Sequence, residues 1–280
     1  MFFLLLAICS SALLAIILKL SGSKSDNTYG VCLFNYMTAS LIAFLFISDK
    51  NLLTTGGTVL GMGAVSGILY LGSLALYQIN INKNGTVLAA VFSKLGVIIP
   101  TAMGFIFFSE TPSLVQILGI LVAIVAIVVI NYQKGDSEVK SGAKVQAAGL
   151  LLLLLVGGLC DSTSKVFESI GDRKDDDRFM FFIFLFAGIF TLVPLIRSKK
   201  KIDLTTAICG IIIGIPNYFV TRFLLKALTE MPSFIVYPTY SVGTVILISL
   251  MSRIFFKEKL NKQQLIGVGL ILVALVMLNI

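Results

Sequence analysis

Lys94 sits in the run KLGVIIPT, deep in an apolar stretch and with no acidic residue within a helical turn of it. Asp161 and Lys165, in CDSTSK, are four apart, so on a helix they share one face. Tyr218, Arg222 and Lys226 repeat that spacing, with Asn217 beside Pro216 just upstream. Tyr237, Tyr240, Ser241 and Thr244 fall at i, i+3, i+4 and i+7, a polar stripe on an otherwise apolar segment. Asn35, Tyr70 and Gln78 bring polar groups into two more such stretches. An ionisable group in hydrocarbon is costly unless it faces a cavity or a partner, which makes it a functional candidate by default. The candidate substrate-binding residues are therefore Lys94, Asn35, Tyr70, Asp161, Lys165, Asn217, Tyr218, Arg222, Tyr237 and Tyr240. Structural readings compete: Asp161 and Lys165 as a self-neutralising pair, Asn35 and Gln78 as interhelical hydrogen-bond partners, Lys19 and Lys226 as interfacial snorkels.

Several chemistries drop out. The chain has no histidine, which removes imidazole relays, His-ligated metals and His-dependent triads. Its four cysteines lie singly in apolar runs, with neither metal-site nor disulfide spacing. A two-aspartate membrane protease would need a second central acid beside Asp161. No catalytic residue, cofactor or metal is expected, and the chain is not read as an enzyme.

The elements that must hold these residues follow from composition. Of 280 residues, 57% are hydrophobic and 13% charged, against about 25% charged in a typical soluble domain. Mean hydropathy is +0.99. The bilayer is the expected solvent, and the net charge of +8 reads as loop Lys and Arg that set topology rather than as a nucleic-acid surface. About 20 apolar residues span a membrane, and that yardstick predicts an all-α integral membrane protein with ten transmembrane helices. They fall at 2–20, 28–48, 57–79, 85–108, 113–131, 146–169, 178–196, 205–228, 231–254 and 262–280. Loops after odd-numbered helices carry most of the Lys and Arg, including Lys24, Lys83, Arg197, Lys199, Lys200, Lys201 and Lys257. The opposite side has Lys50, Arg173, Lys174 and Arg178. The positive-inside rule then places both termini outside a cell membrane.

FFSETPSLVQILGILVAIVAIVVIN (107–131) and FFKEKLNKQQLIGVGLILVALVMLN (255–279) align without a gap at an offset of 148, with nine of 25 positions identical. Glu110/Glu258, Gln116/Gln264, Gly119/Gly267 and Asn131/Asn279 are in register, which shared apolar composition does not produce. The chain divides into a first five-helix repeat (1–132), a connecting loop (133–145) and a second five-helix repeat (146–280). Five is odd, so the second repeat enters the membrane inverted. Inverted repeats characterise secondary transporters, whose substrate site lies between the halves.

Two copies of E-x5-Q-x2-G, at Glu110, Gln116, Gly119 and at Glu258, Gln264, Gly267, each entering a fifth helix, resemble the EamA-type transporters of the drug/metabolite transporter superfamily. Pro100 stands upstream in the first half, whereas Ile248 occupies the matching place in the second. The resemblance implies a basket in which helices 1–4 and 6–9 surround a central cavity and helices 5 and 10 pack outside. Glu110 and Glu258 are expected to be structural, capping the fifth helix of each half.

The expected activity is alternating-access transport, secondary active or facilitative, of a small polar metabolite. Lys94, Lys165 and Arg222 outnumber Asp161 by two charges, which favours an anionic or zwitterionic solute over a cationic or lipophilic drug exported against protons. Expected partners are the small-molecule substrate, the lipid bilayer and protons as a candidate coupling ion, with the protein a monomer or homodimer and no nucleic acid involved.

Overall fold

The computed structural model describes residues 1–47, 50, 52, 55–99, 103, 113–131, 137–170, 175–231, 233–258, 260–278 and 280. Among these lie ten helices and no strand: α1 (Phe2–Lys24), α2 (Thr28–Phe46), α3 (Gly57–Asn84), α4 (Thr86–Leu95), α5 (Leu114–Asn131), α6 (Ser137–Ile170), α7 (Asp176–Ser198), α8 (Leu204–Glu230), α9 (Ser233–Phe256) and α10 (Lys262–Leu278). Six helices are long and apolar enough to cross a membrane: α1, α2, α3, α7, α8 and α9. The other four contribute shorter apolar runs, Thr86–Leu95, Leu114–Ala126, Ala147–Thr163 and Lys262–Leu278.

Two boundaries differ from expectation. The fourth segment, expected over 85–108, is interrupted by a turn at 96–97, and residues 98, 99 and 103 beyond it are again helical. Pro100 and most of the rest of that segment lie outside the described residues. In the second case, α6 begins at Ser137 rather than 146, inside the expected connecting loop. The run SEVKSGAKVQ is polar but contains no proline, and hydropathy detects membrane depth rather than helicity, so a helix reaching beyond the apolar core is invisible to it.

The most extensive helix contacts all join the first five helices to the last five. α2 packs on α7 and α8, and α3 on α7 and α6. α1 packs on α8 and α9, α4 on α6 and α9, and α5 on α10. Exchanging each helix for the one five places along the chain maps this set of pairs onto itself.

Glycines let these helices approach closely. A Cβ on Gly63 or Gly67 of α3 would stand 2.8 Å from Cβ of Phe182 or Phe186 on α7, and at Gly67 also 2.9 Å from the Ala187 backbone nitrogen. On α8, Gly210 would meet the Val31 carbonyl at 2.6 Å and Gly214 the Asn35 carbonyl at 2.7 Å, both on α2. Gly96 abuts α6 at Gly158 N (2.8 Å), and Gly243 abuts α1 at Ile8 Cδ1 (2.8 Å). Gly63/Gly210, Gly67/Gly214 and Gly96/Gly243 are each 147 residues apart. In lipid, helices associate through such close packing rather than through the hydrophobic effect.

Polar contacts then tie the ends. The Ser25 and Thr206 hydroxyls meet at 2.7 Å, joining the α1–α2 turn to the α7–α8 turn. Asn27 accepts the Gly30 N–H at 2.9 Å to cap α2 and donates to the Lys201 carbonyl at 3.1 Å. Asp203 caps α8 through the Thr206 N–H at 2.9 Å. The hydroxyl and N–H of Thr206 together hold the exposed Asp203 carboxyl below its ordinary range. At the opposite end, the Met1 ammonium lies 3.8 Å from Glu230 at the end of α8.

The glycine crossings yield a stability test. Gly67→Val or Gly214→Val is expected to destabilise the detergent-purified protein by about 1–3 kcal/mol, the usual cost of overpacking. Gly61→Ala, where an added Cβ meets nothing within 4 Å, serves as the neutral control. Thermal melting followed by size-exclusion peak area reads the difference.

Candidate functional site

Lys94 lies in the last turn of α4, half-buried, and the Gly96–Gly158 contact brings that end of α4 against α6. Its ammonium stands 4.0 Å from the ring centroid of Tyr240, a buried side chain of α9. A desolvated cation over an aromatic face is worth about 2 kcal/mol. Asp161 on α6 lies within electrostatic range of the Lys94 ammonium, and Tyr77 on α3 lies near Tyr240. Lys94, Asp161 and Tyr240 thus form one constellation on three helices from both halves, with Tyr77 on a fourth helix beside it.

Among the described residues Lys94 is the cation that acts on Asp161, across the helix interface and beyond direct ion-pair distance. The self-contained Asp161–Lys165 pair read from spacing rests on the Lys165 side chain, which lies outside the described residues, as does that of Tyr237.

The remaining candidates form two other groups. At the α2–α8 crossing, Asn217 Nδ2 donates to Asn35 Oδ1 at 3.1 Å. Asn35 is fully buried, and its own amide nitrogen has no hydrogen-bond partner among the described residues. Next to them Tyr36 donates its hydroxyl to the Tyr70 carbonyl at 2.6 Å, and the Phe184 ring lies edge-on to Tyr70 at 5.9 Å. The second group is electrostatic. Arg222 is salt-bridged to Asp177 in the first turn of α7, and its guanidinium lies 4.7 Å from the Phe46 ring centroid. Tyr218, fully buried, stacks on the same Phe46 ring at 5.7 Å.

The Arg222–Asp177 pair alters the charge reckoning. Arg222 is neutralised locally, and Lys94 and Asp161 offset one another, so the described residues carry no positive surplus at the site. Asp177 was hidden in the sequence among the charges of GDRKDDDR, where nothing singles out one acid. Tyr77 was equally unmarked, although it stands next to Gln78.

Glu258 has a role different from the expected cap on its own following helix. Its carboxylate accepts from the Thr86 N–H (3.1 Å to each oxygen) and the Thr86 hydroxyl (2.9 Å), so it caps α4 of the other half. The reason is local. α3 and α4 meet at Gly85 with φ +86°, a conformation that favours glycine, and glycine has no side chain with which to cap α4. α10 is capped instead by Asn261, in a reciprocal box with Gln264 (2.7 and 3.0 Å). α5 is capped in the same way by Ser113 with Gln116 (3.1 and 3.0 Å). The repeated glutamines are therefore capping residues. Glu110 lies outside the described residues.

Among the described residues, an all-helical architecture with six long apolar helices and partly buried charged groups between them has the construction of a multi-pass membrane protein. Residues 148–280 match the model of the EamA-like transporter family, of the drug/metabolite transporter superfamily, a family of transporters. A Haemophilus influenzae protein of uncharacterized function is 22% identical over 275 residues, covering 95% of this chain and 93% of its own. A solved crystal structure of another protein superposes at a TM-score of 0.65 with 11% identity, over 99% of this chain and 94% of that one. That likeness is one of fold.

The Lys94–Asp161 pairing predicts non-additive stabilities. Lys94→Gln and Asp161→Asn should each lower thermal stability by leaving one charge uncompensated, and the double variant should recover part of the loss. A double-mutant cycle in detergent is expected to give a coupling of about 0.5–1 kcal/mol, and additivity would dissociate the pair.

Proposed function

We propose that the chain is a membrane carrier that moves a small zwitterionic metabolite by alternating access between two inverted five-helix halves, residues 1–132 and 146–280. The observation that carries this reading is the Lys94–Asp161–Tyr240 constellation, in which a cation, an anion and an aromatic face come from both halves. A zwitterion would satisfy both charges at once, its acidic group on Lys94 and its cationic group on Asp161. A simple anion would leave Asp161 uncompensated and a simple cation would do the same to Lys94, so both rank below it.

The inverted repeat is supported by helix pairs that exchange under a shift of five helices and by three pairs of packing glycines 147 residues apart. Contacts between the α1–α2 and α7–α8 turns, and from the α9–α10 loop to α4, fit a topology in which those loops share one face. The loop charges favour the cytoplasm for that face and a cell-membrane location with both termini outside. Asn35, Asn217 and Tyr70 are assigned to the wall of the substrate site, with Tyr218 and Arg222 at its margin. Lys165 and Tyr237 complete the proposed set.

Reconstitution into proteoliposomes tests this. Counterflow with a panel of zwitterionic, anionic and cationic solutes is expected to give saturable uptake for a zwitterion, and Lys94→Gln is expected to abolish it. Absence of saturable flux across the panel, or wild-type kinetics in Lys94→Gln, contradicts the assignment. Repeating the flux with an imposed pH gradient shows whether protons are coupled.

A further inference from the structure

Glu258 holds more than a helix cap. One of its carboxylate oxygens lies 3.6 Å from the Lys19 ammonium of α1, and that ammonium also donates to the Ile81 carbonyl of α3 at 3.2 Å. Together with the Thr86 contacts, one partly buried carboxylate from the second half fastens α1, α3 and α4 of the first half. On the side of this fastening nearer Lys94, Ala12 and Ala15 of α1, Ala90 of α4 and Ile248 of α9 make a fully dry cluster, with Tyr77 of α3 packed against it. This layer separates the Lys94–Tyr240 level from the end of the molecule that holds Glu258.

Polar groups lie stranded beside this layer and on either side of it. Gln78 of α3, Thr244 and Ser252 of α9 are fully buried, and their side-chain polar atoms find no hydrogen-bond partner among the described residues. A buried unsatisfied polar group costs about 1–3 kcal/mol. Such groups are out of place in a permanently dry core, and they make sense where water or solute reaches them in a second conformation.

Resting on the transport reading above, we propose that Glu258 is the bolt of a gate. With Lys19 and Thr86 it holds shut the face carrying the α3–α4 turn and the α9–α10 loop, and Gln78, Thr244 and Ser252 line the path that opens when the bolt releases. Neutralising Glu258 removes the attraction to Lys19 and weakens the cap on α4, so the open form gains population.

The test introduces Ala90→Cys into the full chain and follows alkylation by a membrane-impermeant maleimide, added to either face of membrane vesicles. Peptide mass spectrometry reads the thiol introduced at position 90 alone. With Glu258 intact that thiol should react slowly. In Glu258→Gln its rate should rise about tenfold from the Glu258 face only, the factor that one charge-assisted hydrogen bond represents. Lys19→Gln, which leaves the α4 cap in place, should give a smaller rise from the same face. Unchanged rates in both variants overturn the proposal, and so does an equal rise from both faces, which would mean general loosening. The labelling reads access without a substrate, so a one-faced opening in a protein that moves no solute would retire the transport reading and leave the bolt standing.

Discussion

Lipid gives apolar helices no reason to associate, since tails and side chains are equally apolar. What assembles this molecule is the close approach of backbones where side chains are absent. The α3–α7 and α8–α2 crossings, each through a G-x3-G pair, set the distance between the two halves. Other placements depend on them. The Asn35–Asn217 hydrogen bond exists because Gly214 seats against the Asn35 carbonyl one turn away. The Lys94–Asp161 interaction depends likewise on Gly96 meeting Gly158.

That geometry makes the charge arrangement economical. These charges have compensation on a neighbouring helix: Lys94 with Asp161 and the Tyr240 face, Arg222 with Asp177, Lys19 with Glu258. In the first group Asp161 is exposed while Tyr240 is buried. The other two lie towards opposite ends of the helices. A polar centre with charge pairs at either end is compatible with the alternating-access reading proposed above, in which the two ends close in turn around a fixed site.

Much of this was legible in the sequence, for identifiable reasons. Apolar runs and their interruptions place the helices because desolvation acts on local composition. Lys94 stands out in the sequence because a lone ammonium in an apolar run has few innocent explanations. Its partners do not, since Asp161 lies 67 residues away and pairs across an interface that no local pattern reveals. Glu258 shows the same limit. The sequence marks it as repeated, but only the fold shows that it caps a helix of the opposite half, left uncapped because the α3–α4 turn needs Gly85. The G-x3-G pairs at 63/67 and 210/214 are present in the sequence but out of register with the longer repeat. They fall at an offset of 147 rather than 148, so an ungapped comparison passes over them.

The central claim, two halves that open one face while closing the other, is tested most directly by distances across both faces of the same protein. Spin labels at Lys83 and Lys257 report the face that holds Glu258, and labels at Gly56 and Glu230 report the opposite one. Pulsed electron resonance in lipid nanodiscs should resolve two distance populations for each pair, and a transported solute should shift the two faces in opposite directions. A single invariant distance on both faces, or widening of both together, contradicts the account.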